Sequence, residues 1–199
     1  AMGRLLEDYG KLLLLSEEQR LAIQTLCQAL EDQEIDYLCV KGTLLKELYP
    51  RPELRVMGDA DILIRKEQYP RIIPILERLG FSFLEESDHE YDWYSSQLHL
   101  ELHKRLIPSY NKDYCAYFGD GWSLAKKVRG TRYELCPEDH YIYLLTHLAK
   151  HCRSGGIGCR QVIDLWVWRQ TFPEMDQDHI HRALNQLRLE TFHENVCRM

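Results

Sequence analysis

Two aspartates separated by a single residue, Asp59 and Asp61, stand at the entrance to an aliphatic run, Ile62-Leu63-Ile64. Residues two apart on a strand project to the same face, so both carboxylates would point together. Like charges held that close are unfavourable until a cation neutralises them, and carboxylate oxygens suit a hard divalent ion such as Mg²⁺, with Mn²⁺ as an alternative. A third carboxylate, Glu101, lies in a later alternating segment where Leu98, Leu100 and Leu102 interleave with His99, Glu101 and His103. Were that strand to lie beside the first, Glu101 could close a metal site with Asp59 and Asp61. Three carboxylates are a common way to hold Mg²⁺ against a triphosphate.

Upstream, Gly42-Thr43 follows a short apolar run and opens a helical stretch. A glycine there lets backbone amides approach a phosphate, the hydroxyl can donate to it, and a helix N-terminus favours negative charge. Lys41 and Arg55 add positive charge near this turn and are candidate phosphate contacts. Two histidine patterns offer a different chemistry. His99, Glu101 and His103 could be a zinc triad on one strand face, and His147 and His151 share a helix face from which Cys152 or Cys159 could complete a site. The plainer reading is a carboxylate-bonded histidine for the first pattern and packed or capping side chains for the second.

These residues need a sheet to hold them. Ser16 precedes Gln19 by three residues, as in a capping box, and predicts a helix from there to residue 33. The stripe from Leu5 to Leu15 ahead of it reads as a core or helix-packing face. Residues 37–40 read as a buried strand, residues 44–49 as a helix stopped by Pro50 and Pro52, and residues 61–64 as a second strand. A helix over 67–79 closes at Gly80, with a break or kink expected near Pro74, and three further strands follow at 81–84, 91–95 and 98–102. From Pro137 the pattern is helical, with a glycine-rich break over 154–158 and stretches at 162–168 and 180–189. Trp166, Trp168 and Phe172 read as helical core. The whole is an α+β chain, with a mixed module at 1–135 and a helical module at 136–199.

The order of strand, glycine turn, helix, then a strand bearing Asp-x-Asp resembles the nucleotidyltransferases of the polymerase-β superfamily. It is most similar to a family of small uncharacterised nucleotidyltransferases. The matching residues are Val40-Lys41-Gly42, Tyr49-Pro50, Arg55 four residues ahead of Asp59-Ala60-Asp61, and Glu101-Leu102-His103. In the helical part Leu145-Thr146-His147-Leu148 with His151, and Val162-Ile163-Asp164-Leu165, are also similar, so the resemblance spans residues 35–170. The chain departs from the superfamily pattern in having Gly-Thr at the phosphate turn, a longer run to Asp-x-Asp, and Lys104 where an aromatic often follows Glu-Leu-His.

The resemblance implies a polymerase-β-like mixed sheet flanked by helices and followed by a helical module. It also implies an enzyme that moves a nucleoside monophosphate, AMP, from an NTP such as ATP to a hydroxyl-type acceptor, releasing pyrophosphate. Asp59 and Asp61 would bind Mg²⁺ on the phosphates, and Gly42 and Thr43 would cradle the β/γ end. Lys41 and Arg55 would meet phosphate charge. Glu101 would complete a second metal position and help deprotonate the acceptor, a small molecule, a protein side chain or an RNA end. A different class stays open, a non-catalytic nucleotide-binding or partner-binding module on the same fold.

Composition narrows the partners. The 25 Lys and Arg against 31 Asp and Glu give a net charge of −6, which argues against duplex nucleic acid, whose ligands usually carry a basic surplus. The longest purely aliphatic run, residues 12–15, is far short of the roughly 20 residues a membrane span needs. Seven scattered cysteines without a Cys-x-x-Cys pair fit reduced thiols in a cytoplasm. Oligomeric state is not legible.

Overall fold

The computed structural model describes residues 2–156 and 158–198. They form two compact units, one of residues 1–104 with 127–133 and one of residues 105–126 with 134–199.

The first unit opens with helix α1 (Met2–Asp32) and continues through strand β1 (Tyr37–Val40), a single helical turn α2 (Gly42–Leu45), strand β2 (Ala60–Ile64), helix α3 (Tyr69–Arg78) and strands β3 (Ser82–Glu86), β4 (Glu90–Tyr94) and β5 (His99–His103). A hairpin of β6 (Ala125–Arg129) and β7 (Arg132–Leu135) adds the last two strands of a seven-stranded mixed sheet in the order β3-β4-β5-β2-β1-β7-β6. The pair β2/β5 is parallel, whereas β1/β2, β4/β5 and β3/β4 are antiparallel. β2 is therefore central, and all five of its residues are buried. This explains why its sequence is a continuous apolar run broken only by Asp61.

One face of the sheet carries the core. Ala60, Ile62, Ile64, Leu100, Leu102, Tyr91 and Trp93 pack there with Leu26 and Leu30 of α1 and Ile72, Ile75 and Leu76 of α3. Because side chains alternate along a strand, Asp61, Glu101 and Asp92 fall on the opposite face.

Several local expectations differ from the structure. α1 runs unbroken through Ser16, because most of the upstream residues, Gly3 and Gly10 apart, are good helix formers and no proline interrupts them. Its first half leaves Leu6, Leu13, Leu14 and Leu15 exposed rather than in a core; burial begins at Gln19. α3 likewise runs through Pro74 without the break that the residue could have caused. The proline forfeits one bond close to the helix start, and the buried Ile72, Ile75 and Leu76 hold the helix to the sheet. Gly80 closes it at φ +81°, with Phe81 N–H donating to Leu76 O, as its position in the sequence predicts.

The second unit comprises α4 (Lys112–Phe118), α5 (Pro137–Ser154), α6 (Cys159–Thr171), α7 (Gln177–Leu187) and α8 (Glu190–Cys197). α5 starts at Pro137 with Cys136 as its cap and is buried along Tyr141 to Thr146. Of the glycine-rich break, residue 157 lies outside the described residues. Trp168 packs in this core, its ring stacked on His140 at 4.3 Å, while Trp166 is exposed. No described helix is long and apolar enough to cross a membrane.

Candidate active site

The register of three strands sets up a row of acids. Asp61 on β2 is the pairing partner of Glu101 on β5, and Glu101 is in turn the partner of Asp92 on β4. The next position along β5, two residues on, is His103, also on this face. Asp59 immediately precedes β2, is half-buried, and its charge reaches Glu101.

Asp61 is almost fully buried, so its charge needs close partners. Lys41 Nζ lies 2.5 Å from its Oδ1, and His103 Nε2 donates to the same oxygen at 2.9 Å. Burial alone would push this carboxyl up, but the Lys41 ammonium and the His103 ring outweigh it and hold Asp61 well below the usual carboxylate range. Its backbone N–H donates to Thr43 Oγ1 at 2.9 Å, which ties the start of α2 to β2.

Glu101 is the opposite case. Burial and the neighbouring Asp61 charge push it up to about 9, against a smaller pull from Lys41. At neutral pH it therefore holds a proton in this state. Its Oε2 is 3.9 Å from Lys41 Nζ and 3.5 Å from His103 Nε2. The other side of His103 faces Glu90, with Nδ1 3.2 Å from Glu90 Oε2 in an ion-pair contact that lacks hydrogen-bond alignment. Glu90 Oε2 also lies 3.0 Å from His89 Nε2. Burial favours the neutral Glu90, but the two histidine rings prevail and lower it. Asp92 is raised by burial and the nearby Glu90 charge, and its Oδ1 is buried without a hydrogen-bond partner.

Among the described residues, three groups bring possible ligand atoms within 4.8 Å of one another: Asp61, Glu101 and His103; Glu90, Asp92 and Glu101; and His89, Glu90 and His103. The donor set is rich in carboxylate oxygens and includes the orphaned Asp92 Oδ1, which fits a hard divalent cation. Asp59 belongs to none of these groups, nor does His99 join Glu101 and His103, since strand residues four apart are separated by about 13 Å. His147 and His151 approach each other at 3.1 Å between Nε2 atoms, but no third ligand joins them in such a group.

The glycine turn holds a second feature. A Cβ added to Gly42 would meet Arg55 Nη1 at 2.8 Å and Met57 Cγ at 3.2 Å. The glycine thus makes room for the Arg55 guanidinium, which is buried over it and donates to Val56 O at 3.3 Å. Lys41, just before, has φ 49° and ψ −127°, a region that a side chain enters only under strain. Lys41, Gly42, Thr43, Arg55, Asp61 and Glu101 are thereby gathered around the ends of β1, β2 and β5.

Sequence reasoning did not pick out His89, Glu90 and Asp92. The alternation Glu90-Tyr91-Asp92-Trp93 marks a strand with one acidic face, but only the register against β5 brings that face to Glu101.

Solved structures share this fold. The solution structure of the antibiotic-resistance factor ANT(2'')-Ia aligns with a TM-score of 0.60 at 14% identity, over 89% of this chain and 97% of that one. A crystal structure of ANT(2'')-Ia in complex with adenylyl-2''-tobramycin aligns with a TM-score of 0.57 at 12% identity, over 85% of this chain and 97% of that one. The Megavirus polyadenylate synthase aligns with a TM-score of 0.53 at 12% identity, over 89% of this chain and 37% of that larger one. No curated protein matches. A family model described as "Uncharacterised nucleotidyltransferase" matches residues 3–199, and the chain belongs to that family of nucleotidyltransferases.

Proposed function

We propose that this nucleotidyltransferase moves AMP from ATP to a hydroxyl-type acceptor, a small molecule or a protein side chain, with release of pyrophosphate, in a reaction that depends on Mg²⁺ or Mn²⁺. The observation that carries the reading is the pairing of Asp61 with Glu101 across β2 and β5, with Asp59 at the mouth of the same strand. The solved relative bound to adenylyl-2''-tobramycin supports AMP as the transferred group.

Asp59, Asp61 and Glu101 would hold the cation. Bound there, it supplies positive charge to the phosphate oxygens and so favours in-line displacement. Thr43 fixes the backbone of Asp61, and His103 orients its side chain. Arg55, seated over Gly42, offsets the negative charge that develops as pyrophosphate leaves. Glu101, pushed up by burial and the Asp61 charge, would take the acceptor's hydroxyl proton once positive charge in the site has released its own. Substrate loading and base activation are then linked.

Pyrophosphate release from ATP, tested with Mg²⁺ and a panel of hydroxyl acceptors, checks the reading. The double variant Asp59→Asn, Asp61→Asn, which keeps the side-chain volume and an acceptor oxygen for Lys41 and His103, should lose turnover while a melting curve shows it folded; turnover retained in that variant would sink the reading. Mg²⁺-dependent ATP binding with no pyrophosphate release from any acceptor would instead favour a nucleotide-binding module.

A further inference from the structure

The two acids that would bind the cation already face one, because Lys41 Nζ lies 2.5 Å from Asp61 Oδ1 and 3.9 Å from Glu101 Oε2. We propose that Lys41 is a built-in stand-in for the divalent cation, occupying its position in the unloaded protein and transferring to the substrate's phosphates when metal and nucleotide arrive together. This rests on the metal-binding reading of the site and assigns Lys41 a role that a simple phosphate contact does not have.

Three observations support it. The ammonium lies close to both acids, 2.5 Å from Asp61 Oδ1 and 3.9 Å from Glu101 Oε2, in space that a dication bound by both would need. Like positive charges cannot share that space, so one must leave. The Lys41 side chain is only 15% exposed and its carboxylate partner 3%, so the pair is shielded from water and competes strongly with an incoming ion. Finally, Lys41 joins β1 to α2 at φ 49°, ψ −127°. A strained backbone persists when its surroundings hold it there, and the contact with Asp61 ties this side chain down.

The flexible lysine stem lets the head group move away while the backbone stays. A displaced ammonium beside a site holding only the metal has lost its partner. One beside metal plus triphosphate gains a new anion. Metal alone is therefore disfavoured, and metal and nucleotide favour each other, which guards the site against binding a bare cation.

The test uses metal-free full-length protein and Mn²⁺ alone, followed by calorimetry or by the Mn²⁺ spin-resonance signal, without turnover. Lys41→Met should bind Mn²⁺ at least ten times more tightly than wild type, and Lys41→Arg, which keeps the charge, should resemble wild type. A non-hydrolysable ATP analogue should then raise Mn²⁺ affinity at least tenfold in wild type and by less in Lys41→Met. Equal Mn²⁺ affinity in wild type and Lys41→Met overturns the stand-in role while leaving the metal site intact. Binding by neither overturns both. Should Lys41→Met fail to fold, acetylation footprinting of wild type decides: Lys41 is protected without metal and becomes reactive as Mn²⁺ saturates the site, and unchanged protection at saturation refutes the proposal.

Discussion

Asp61 and Glu101 are register partners on adjacent parallel strands, yet their affinities for protons are driven in opposite directions. Lys41 and His103 both contact Asp61 Oδ1 and keep it ionised, whereas Glu101, deprived of equally close donors and facing the Asp61 charge, keeps its proton. Two buried acids side by side settle into one charged and one neutral member.

That division predicts an uncoupling of stability from activity at Glu101. In Glu101→Gln the amide replaces a carboxyl that is already neutral at pH 7, so the melting temperature should stay the same or rise. Pyrophosphate release should fall by at least about 100-fold, the scale of a lost general base. Near-normal turnover in this variant would remove Glu101 from the chemistry.

Gly42→Ala should be costly although α2 is helical. The new methyl group would meet Arg55 Nη1 at 2.8 Å and Met57 Cγ at 3.2 Å, and both residues are buried. Overpacking of this kind costs about 1–3 kcal/mol, measurable as a lower urea midpoint at constant slope. An unchanged midpoint would mean that the Arg55 side chain swings aside without cost.

The second unit carries an acid-sensitive element. His140 is buried against Trp168 with its Nε2 unpartnered, and burial pushes its imidazole down to about 3. In the unfolded chain it titrates near 6.5, so the unfolded state binds the extra proton between those values. Its contribution to stability is complete above about pH 6.5 and is lost as pH falls toward 3, at up to about 1.4 kcal/mol per pH unit. His140→Phe should flatten that slope in denaturant titrations followed by tryptophan fluorescence at pH 7, 6 and 5. An identical slope in the variant would rule out His140 as its source.

Asp176 caps α7, its Oδ1 accepting from Asp178 N–H at 2.9 Å and His179 N–H at 3.0 Å. Asp176→Ala should cost about 1 kcal/mol of stability, and Asp176→Asn should recover most of it, because asparagine caps nearly as well. Thermal melts of the three proteins compare them directly; a neutral alanine variant would show that the cap is not needed.

How far the sequence leads depends on the distance over which its signals act. The alternation at 98–103 and the aliphatic run after Asp61 locate β5 and β2 to within a residue, because burial of one or both strand faces leaves a local imprint. Gly80 and Pro137 punctuate helices for equally local reasons. The hairpin β6/β7 leaves a weaker imprint, since β6 is mostly exposed and reads Ala-Lys-Lys-Val-Arg. Ser16 and Gln19 show the converse, a local signal in the middle of a helix whose flanking residues continue it. Within the site, Asp61 and Glu101 announce themselves by residue type and spacing. His89, Glu90 and Asp92 do not, because their place near Glu101 is decided by pairing between strands, a non-local choice. Arg55 over Gly42 is likewise a contact between residues thirteen apart that no periodicity encodes.

The acid row is built from strands far apart in the chain, with Asp61 on β2, Asp92 on β4 and Glu101 on β5. A growing chain on the ribosome makes Asp61 and Lys41 long before the residues that flank them in the sheet. β2 cannot gain its parallel neighbour until His103 has been synthesised and has cleared the exit tunnel. During that interval the nascent polypeptide holds Asp61 with no opposing acid, so the row stays incomplete until residues 99–103 have been made. Because its members meet only through long-range pairing, the row forms late, when the sheet closes.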